Sequence, residues 1–194
     1  MKELAIFGYG GHAREVAAHI AKPVTFFVED QWVSSGTLPL TKFEPDRWKI
    51  MIAVSEPMLR KKIVESLPKE TEYFSYIHPS SLILGDEFEL GSGSFIGSFC
   101  VITTNVKIGN HAIINRGNQI GHDCLIGDYF SMMPGAIIGG NVTIGNRVYM
   151  GSCANIKQKI YICDDTVLGM NSATVKNIHE PGTYVGVPSK KRNS

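Results

Sequence analysis

Few residues of this chain carry chemistry, and one pair among them sits in specific surroundings. In the stretch NQIGHDCLIGDYFSMMPGAIIGG, Asn118 to Gly140, His122 follows a glycine and precedes Asp123 amid glycines and aliphatic residues. An imidazole titrates near neutral pH and can act as a general base. Gly140 lies 18 residues beyond His122. If the chain winds so that residues 18 apart stack, the Gly140 N–H stands beside the imidazole as an oxyanion donor. A base and such a donor are what acyl transfer to an amine requires. Neighbouring residues on an extended strand point apart, so Asp123 orients His122 only if the chain bends between them.

The winding is written in the repeats. From Leu82 the chain divides into 16 six-residue units, LILGDE through SATVKN, read in an unbroken frame. The third residue is Leu, Ile or Met in all but the last unit, and ten units continue with Gly. The first residue is mostly apolar or small, so the first and third positions give the period of two of a strand with one face inward. The glycine that follows is expected to supply a corner of unusual backbone conformation. Short strands with corners predict a parallel β-helix, and three units per triangular coil give a little over five coils.

The chain before Leu82 reads differently. LAIFG, VTFFVED, KIMIAV and EYFSYI read as strands, and GHAREVAAHI and EPMLRKKIVESL as helices. Alternating strands and helices predict a small parallel α/β sheet of Rossmann-like kind. The stretch from Trp32 to Pro45 is expected to be a loop, and SYIHPSSLI around Pro79 the junction. The expected domains are therefore 1–79 and 80–194. In GYGGH, Gly8 to His12, glycines between strand and helix let backbone N–H groups approach a phosphate at the positive end of that helix. Glu29 and Asp30 close the second strand where an acidic residue can reach a ribose.

Composition narrows the function classes. The 194 residues are 43% hydrophobic, with 19 Lys plus Arg against 18 Asp plus Glu, so neither disorder nor binding to nucleic acid or an anionic membrane is expected. The N-terminal apolar run is too short for a signal peptide or a membrane span, which predicts a cytoplasmic protein. The four cysteines, Cys100, Cys124, Cys153 and Cys163, form no CxxC pair and are expected to be free and mostly buried thiols. Among the other histidines, His19 on the first helix and His78 before a proline read as structural.

Taken together, IFGYGGHAREVA, IAVSEPMLRKKI, IGHDCLIGDY, GNVTIGN, DDTVLGMNSATVKN and GTYVGVPSKK resemble the left-handed β-helix acyltransferases. The likeness is strongest to bacterial nucleotide-sugar N-acetyltransferases related to the sialic acid O-acetyltransferase family. Within these the chain resembles enzymes that acetylate the 4-amino group of UDP-linked 4-amino-4,6-dideoxy sugars in the bacillosamine pathway. The resemblance implies a homotrimer with acetyl-CoA as co-substrate, no metal, and active sites between subunits. His122 would be the base, Asp123 its carboxylate partner, and the Gly140 N–H the donor to the thioester oxygen. The sugar nucleotide would lie against Gly10, Gly11 and His12, with Glu29 and Asp30 near the uridine, Ser55 at the end of the third strand and Asn115 beside the sugar. Acetyl-CoA would pass Met132, Gly151, Ser152, Gly169 and Met170 toward the C-terminal tail. Three residues depart from the family pattern: Met132 replaces a frequent His, Ser55 a Gly, and Asp123 a Glu.

Other readings remain at this level. The nucleotide could equally be dTDP or GDP, and the same base would serve O-acetylation of a sialic acid or another hydroxyl acceptor. A γ-type carbonic anhydrase needs three zinc-binding histidines. The repeats hold only His111 and His122, 11 residues apart. A β-helix that only assembles or binds sugar nucleotides predicts ligand binding without coenzyme A release, and the His–Asp pair beside a stacked glycine argues against it.

Overall fold

The computed structural model describes residues 2–192. Positions 193 and 194 of the expected C-terminal domain lie outside the described residues. Five strands, β1 (Glu3–Phe7), β2 (Thr25–Val28), β3 (Thr37–Pro39), β4 (Trp48–Ile52) and β5 (Glu72–Tyr73), form one parallel sheet in the order β3-β2-β1-β4-β5. Alternation along the strands feeds two cores. Ala5, Phe7, Ile50 and Ile52 pack with Ile63 and Leu67 of the α2 segment (helix α2, Pro57–Ser66), while Ile6 and Met51 pack with Ala13, Val16 and Ile20 of α1 (Gly11–Ile20). The first turn of α2 is closed by the Glu56 carboxylate, which accepts from the Met58 and Leu59 N–H groups, with Pro57 at the first helical position. Among the described residues no helix is long and apolar enough to cross a membrane.

Two readings of this region are corrected. The expected loop from Trp32 to Pro45 contains β3, which pairs with β2 through Phe26–Thr37 and its neighbours. EYFSYI is two strands rather than one. β5 ends at Tyr73 in the α/β sheet, and β6 (Tyr76–Ile77) pairs with Phe95–Ile96 as the first rung of the next structure.

That structure is a three-sided parallel coil. In each turn a first face (for example Ile113–Ile114), a second (Gln119–Ile120) and a third (Leu125–Ile126) follow one another, and each strand pairs with one 18 residues on. First- and third-position side chains fill the interior, from Cys100 and Ile102 through Phe130 and Met132 to Leu168. Cys100, Cys124 and Cys163 are buried free thiols, and Cys153 is exposed. The frame starts later than expected. Leu82–Ile83 pair with Val101–Ile102, 19 residues on, whereas Phe88 pairs with Val106. The unit from Leu82 therefore carries one extra residue, and Ile83 rather than Leu84 packs inward.

The corner chemistry also differs from the expected one. Positive φ falls on the sixth residue of each unit, not the fourth, without a break from Gly93 to Asn171. Non-glycine residues such as Asn105, Asp123 and Tyr129 accept this left-handed conformation. The fourth-position glycines answer a different constraint. A Cβ on Gly121, Gly139 or Gly151 would lie 2.6 Å from the backbone nitrogen of Gly140, Gln158 or Met170 in the coil above. Glycine is needed there because stacked turns approach too closely for any side chain.

Arg60 joins the two parts. Its side chain is fully buried, and its hydrogen-bond partners among the described residues are four carbonyls and a hydroxyl. Nε donates to the His111 carbonyl (2.8 Å). One terminal nitrogen donates to the Tyr129 and Phe130 carbonyls and Ser131 Oγ (2.7, 3.0 and 2.9 Å), and the other to the Val54 carbonyl. Ser131 Oγ in turn donates to the Ser55 carbonyl (2.7 Å). The α/β unit is thereby seated on the first face, α1 toward the first–second edge, where Arg116 pairs with Glu15, and α2 toward the third–first edge. Burial pulls the Arg60 pKa down to about 9. Next to it, buried His111 stacks on Tyr129 and meets Tyr73 edge-on. Burial and then the Arg60 charge hold the imidazole pKa at about 4.

Arg60→Met should strip donors from buried carbonyls and cost about 3–5 kcal/mol in urea unfolding. Arg60→Lys should restore only a minor part, since an ammonium lacks the planar five-donor fork. Because His111 is neutral when folded and titrates near 6.5 when unfolded, its contribution is intact above about pH 6.5 and is lost as pH falls toward 4. The stability slope across that window should flatten in His111→Asn, whose side chain tolerates the left-handed backbone; equal slopes would contradict the assignment.

Candidate functional site

The edge between the second and third faces carries Gly121, His122 and Asp123. Asp123 takes the left-handed conformation at φ 58°, and its N–H donates to the Thr104 carbonyl of the coil below. That reversal turns its side chain back, so that Asp123 Oδ2 accepts from His122 Nδ1 at 2.7 Å. The bend needed for Asp123 to reach His122 is therefore present. Oδ1 accepts from Asn105 Nδ2 at 2.8 Å. Donation by His122, and then by Asn105, holds the Asp123 carboxyl below the usual range. A carboxylate on Nδ1 leaves the lone pair of the neutral ring on Nε2.

Gly140 stacks on this group as the 18-residue step requires. A Cβ built on it would lie 2.6 Å from His122 Nε2. Among the described residues nothing accepts from the Gly140 N–H. At the equivalent position of the third–first edge, the N–H groups of Asn110, Asp128 and Asn146 are taken by the Asp128, Asn146 and Asp164 side chains. The His122 edge therefore offers a base and an unengaged donor side by side. The His122 side chain is 56% exposed and that of Asp123 44%, so in the single chain the pair faces outward.

A second feature lies at the C-terminal ends of the α/β strands. A cavity of about 350 Å³ is lined by Phe7, Gly8, Tyr9 and Gly10, by Val28, Glu29 and Trp32, and by Val54, Leu59 and Ile63. It opens between β1 and β4, where the chain leaves β1 toward β2 on one side and leaves β4 toward β5 on the other, the usual ligand position in such sheets. Gly8 makes the tight turn, with φ at +108°. Gly10 and Gly11 have open space where a side chain would stand, and no side chain caps α1.

The structure divides the residues expected around the nucleotide. Gly10 and Glu29 line the cavity. Asp30 faces a neighbouring hollow, where it accepts from Thr41 Oγ1 (3.0 Å). The His12 ring lies edge-on to Phe95 of the first face, its Nε2 buried without a partner among the described residues, and burial lowers its pKa. Ser55 is half-buried at the seam, its carbonyl held by Ser131. Sequence reasoning missed the apolar wall of Tyr9, Trp32, Leu59 and Ile63, because no local pattern shows which residues of a loop and a distant helix converge.

The residues expected along the cofactor fall on another edge. Gly151, Ser152, Gly169 and Met170 stack on two successive coils of the first–second edge, and Met170 is 70% exposed. Asn115 belongs to the same edge, but is buried, and its Oδ1 accepts from the Arg116 N–H (2.7 Å). Met132 is corrected. It is the third residue of its unit and lies wholly inside the coil between Ile114 and Met150, so it is closed to a cofactor. Among the described residues no group of three or more His, Cys, Asp or Glu side chains is placed to hold a metal ion.

Residues 3–67 match the PglD N-terminal domain family. The chain as a whole resembles solved acetyltransferase structures in fold. It superimposes on WeeI from Acinetobacter baumannii AYE with a TM-score of 0.88 at 27% identity, over 99% of this chain and 100% of that one. A perosamine N-acetyltransferase variant from Caulobacter crescentus, solved in complex with CoA and GDP-perosamine, matches with a TM-score of 0.87 at 23% identity, over 100% and 98%. The small α/β domain followed by a left-handed β-helix is the fold shared with these structures. In sequence, 110 residues are 33% identical to the GDP-perosamine N-acetyltransferase of Escherichia coli O157:H7. That match covers 56% of this chain and about half, 49%, of the relative.

Gly140→Ala tests the stacked pair without reference to any ligand. The added methyl group should push the imidazole aside and break its bond to Asp123, seen as a change in the His122 ring ¹⁵N shifts, with the fold retained. Unchanged shifts would mean that Gly140 does not confine the ring.

Proposed function

We propose that the protein transfers the acetyl group of acetyl-CoA to the 4-amino group of a nucleotide-linked 4-amino-4,6-dideoxy sugar. The observation that carries this reading is the His122 imidazole, held by Asp123 on one nitrogen and confined by Gly140 at the other. The sugar amine, once deprotonated, attacks the thioester carbonyl carbon. His122 Nε2 takes the proton released from nitrogen as the C–N bond forms, and the Gly140 N–H stabilises the oxyanion. The C–S bond then breaks, and His122 returns the proton to the departing sulfur.

The site is completed by a second copy of the chain. The α/β unit occupies the first face, whereas His122 lies on the edge between the other two, across the triangular coil from the cavity. The cofactor residues lie on the first–second edge. A threefold arrangement about an axis parallel to the coils would bring the His122 edge of one copy beside the first–second edge of the next at matched height. One copy then supplies the nucleotide cavity and the coenzyme edge, and its neighbour supplies the base and oxyanion donor.

For the nucleotide, guanosine is favoured over the uridine expected from the sequence. The Escherichia coli relative is named for GDP-perosamine, and the Caulobacter enzyme was solved with it. Glu29 adds a chemical reason. A carboxylate only accepts hydrogen bonds, which suits the two adjacent N–H donors of guanine, whereas uracil presents one donor between two acceptors. Trp32 and Tyr9 offer apolar faces for a base.

Coenzyme A release should be measured with GDP-, UDP- and dTDP-linked 4-amino sugars and with hydroxyl acceptors such as sialic acid. Fastest release is expected with the GDP-linked amine, and His122→Ala should lower turnover by about 10² to 10⁴ while circular dichroism stays unchanged. Near wild-type turnover in that variant would remove the mechanism; preference for a hydroxyl acceptor would remove the substrate class.

A further inference from the structure

We propose that Asn105 is a positioning residue that sets the tautomer and orientation of His122 through Asp123. The inference rests on the reading of His122 as the base. An exposed His–Asp pair on a protein edge has no surrounding core to lock it, and both side chains are free to leave their rotamers at small cost. Here the carboxylate is held at two points. Oδ2 takes the His122 Nδ1–H and Oδ1 takes the Asn105 amide N–H, 18 residues below Asp123 in the same column. With both oxygens engaged, the carboxylate plane cannot rotate away from the ring. The amide must present its NH₂ group, because its oxygen against a carboxylate oxygen would repel.

The residue type at 105 suits this task in two further respects. Asn105 has φ 54°, a conformation that asparagine tolerates better than most residues, so the side chain leaves the edge in the direction that meets Asp123. It is also a neutral donor in acidic surroundings. Asp86, Glu87 and Glu89 line the same hollow, together with Lys107, whose ammonium pairs with Glu89 at 2.6 Å. Another carboxylate at this position would repel Asp123, and the amide donates at any pH.

Two variants keep the backbone and remove the donor. Asn105→Gly frees the left-handed position of strain, and Asn105→Asp preserves the shape while exchanging the donor for a charge. The first readout needs no substrate: the Nδ1–H population of the His122 ring, from its ¹⁵N shifts, should fall in both variants and in Asp123→Asn. The second is the kinetic cycle. The kcat/KM should drop about tenfold in Asn105→Gly with the KM for acetyl-CoA unchanged, and the double variant with Asp123→Asn should be no worse than Asp123→Asn alone. A merely structural role would move the melting temperature and multiply with the Asp123 effect. Wild-type ring shifts in Asn105→Gly, or independent multiplying effects, would overturn the proposal. If His122→Ala were active the reading of the base would fail, while the ring shifts would still decide whether Asn105 positions His122.

Discussion

Arg60 is a guanidinium placed where no solvent reaches it and met by carbonyl oxygens rather than by a carboxylate. Burying a charge is costly unless every donor is used, and a planar fork of five donors can satisfy that demand where an ammonium cannot. Its partners come from both halves of the chain: Val54 on one side, and His111, Tyr129 and Phe130 on the other. The contact therefore does more than add stability. It decides which of three faces of the coil receives the α/β unit, and it brings Ser131 and Ser55 into the same seam.

The position of the His122 edge relative to the α/β cavity follows from that choice of face. Once the first face is covered, the edge bearing His122 is the one opposite, and the cavity at the ends of the α/β strands lies on the far side of the coil from the imidazole. The same geometry places Asn115, Ser152 and Met170 on the edge nearest α1.

Within the coil, two separate steric rules produce the site. The sixth residue of each unit takes positive φ, and where that residue is Asp123 the turn folds its carboxylate back onto the preceding side chain. The fourth residue touches the next coil, which excludes a side chain at Gly121 and brings the strands close enough for Gly140 to confine His122. The His122–Asp123 pair on its exposed edge gains its order from these backbone constraints and from hydrogen bonds such as that of Asn105, because no core surrounds it.

Much of this was legible in the residues themselves. The period of six determined the parallel coil and its inward positions, and with them the stack of Gly140 on His122, because a step of three units is a property of the chain alone. Helix α1 and the glycine turn before it were equally local. The extra residue near Gly85, the split of EYFSYI between two sheets and the burial of Met132 were not, since each depends on which strand is paired with which. The use of each corner residue was also hidden: sequence shows that glycine recurs, but only stacked coordinates show that contact with the next coil, rather than φ, requires it. The pairing of Asp123 with His122, the acidic residue that faces the cavity and the face chosen by Arg60 were decided by tertiary structure, because hydrogen-bond direction and domain docking depend on atoms far apart in the chain.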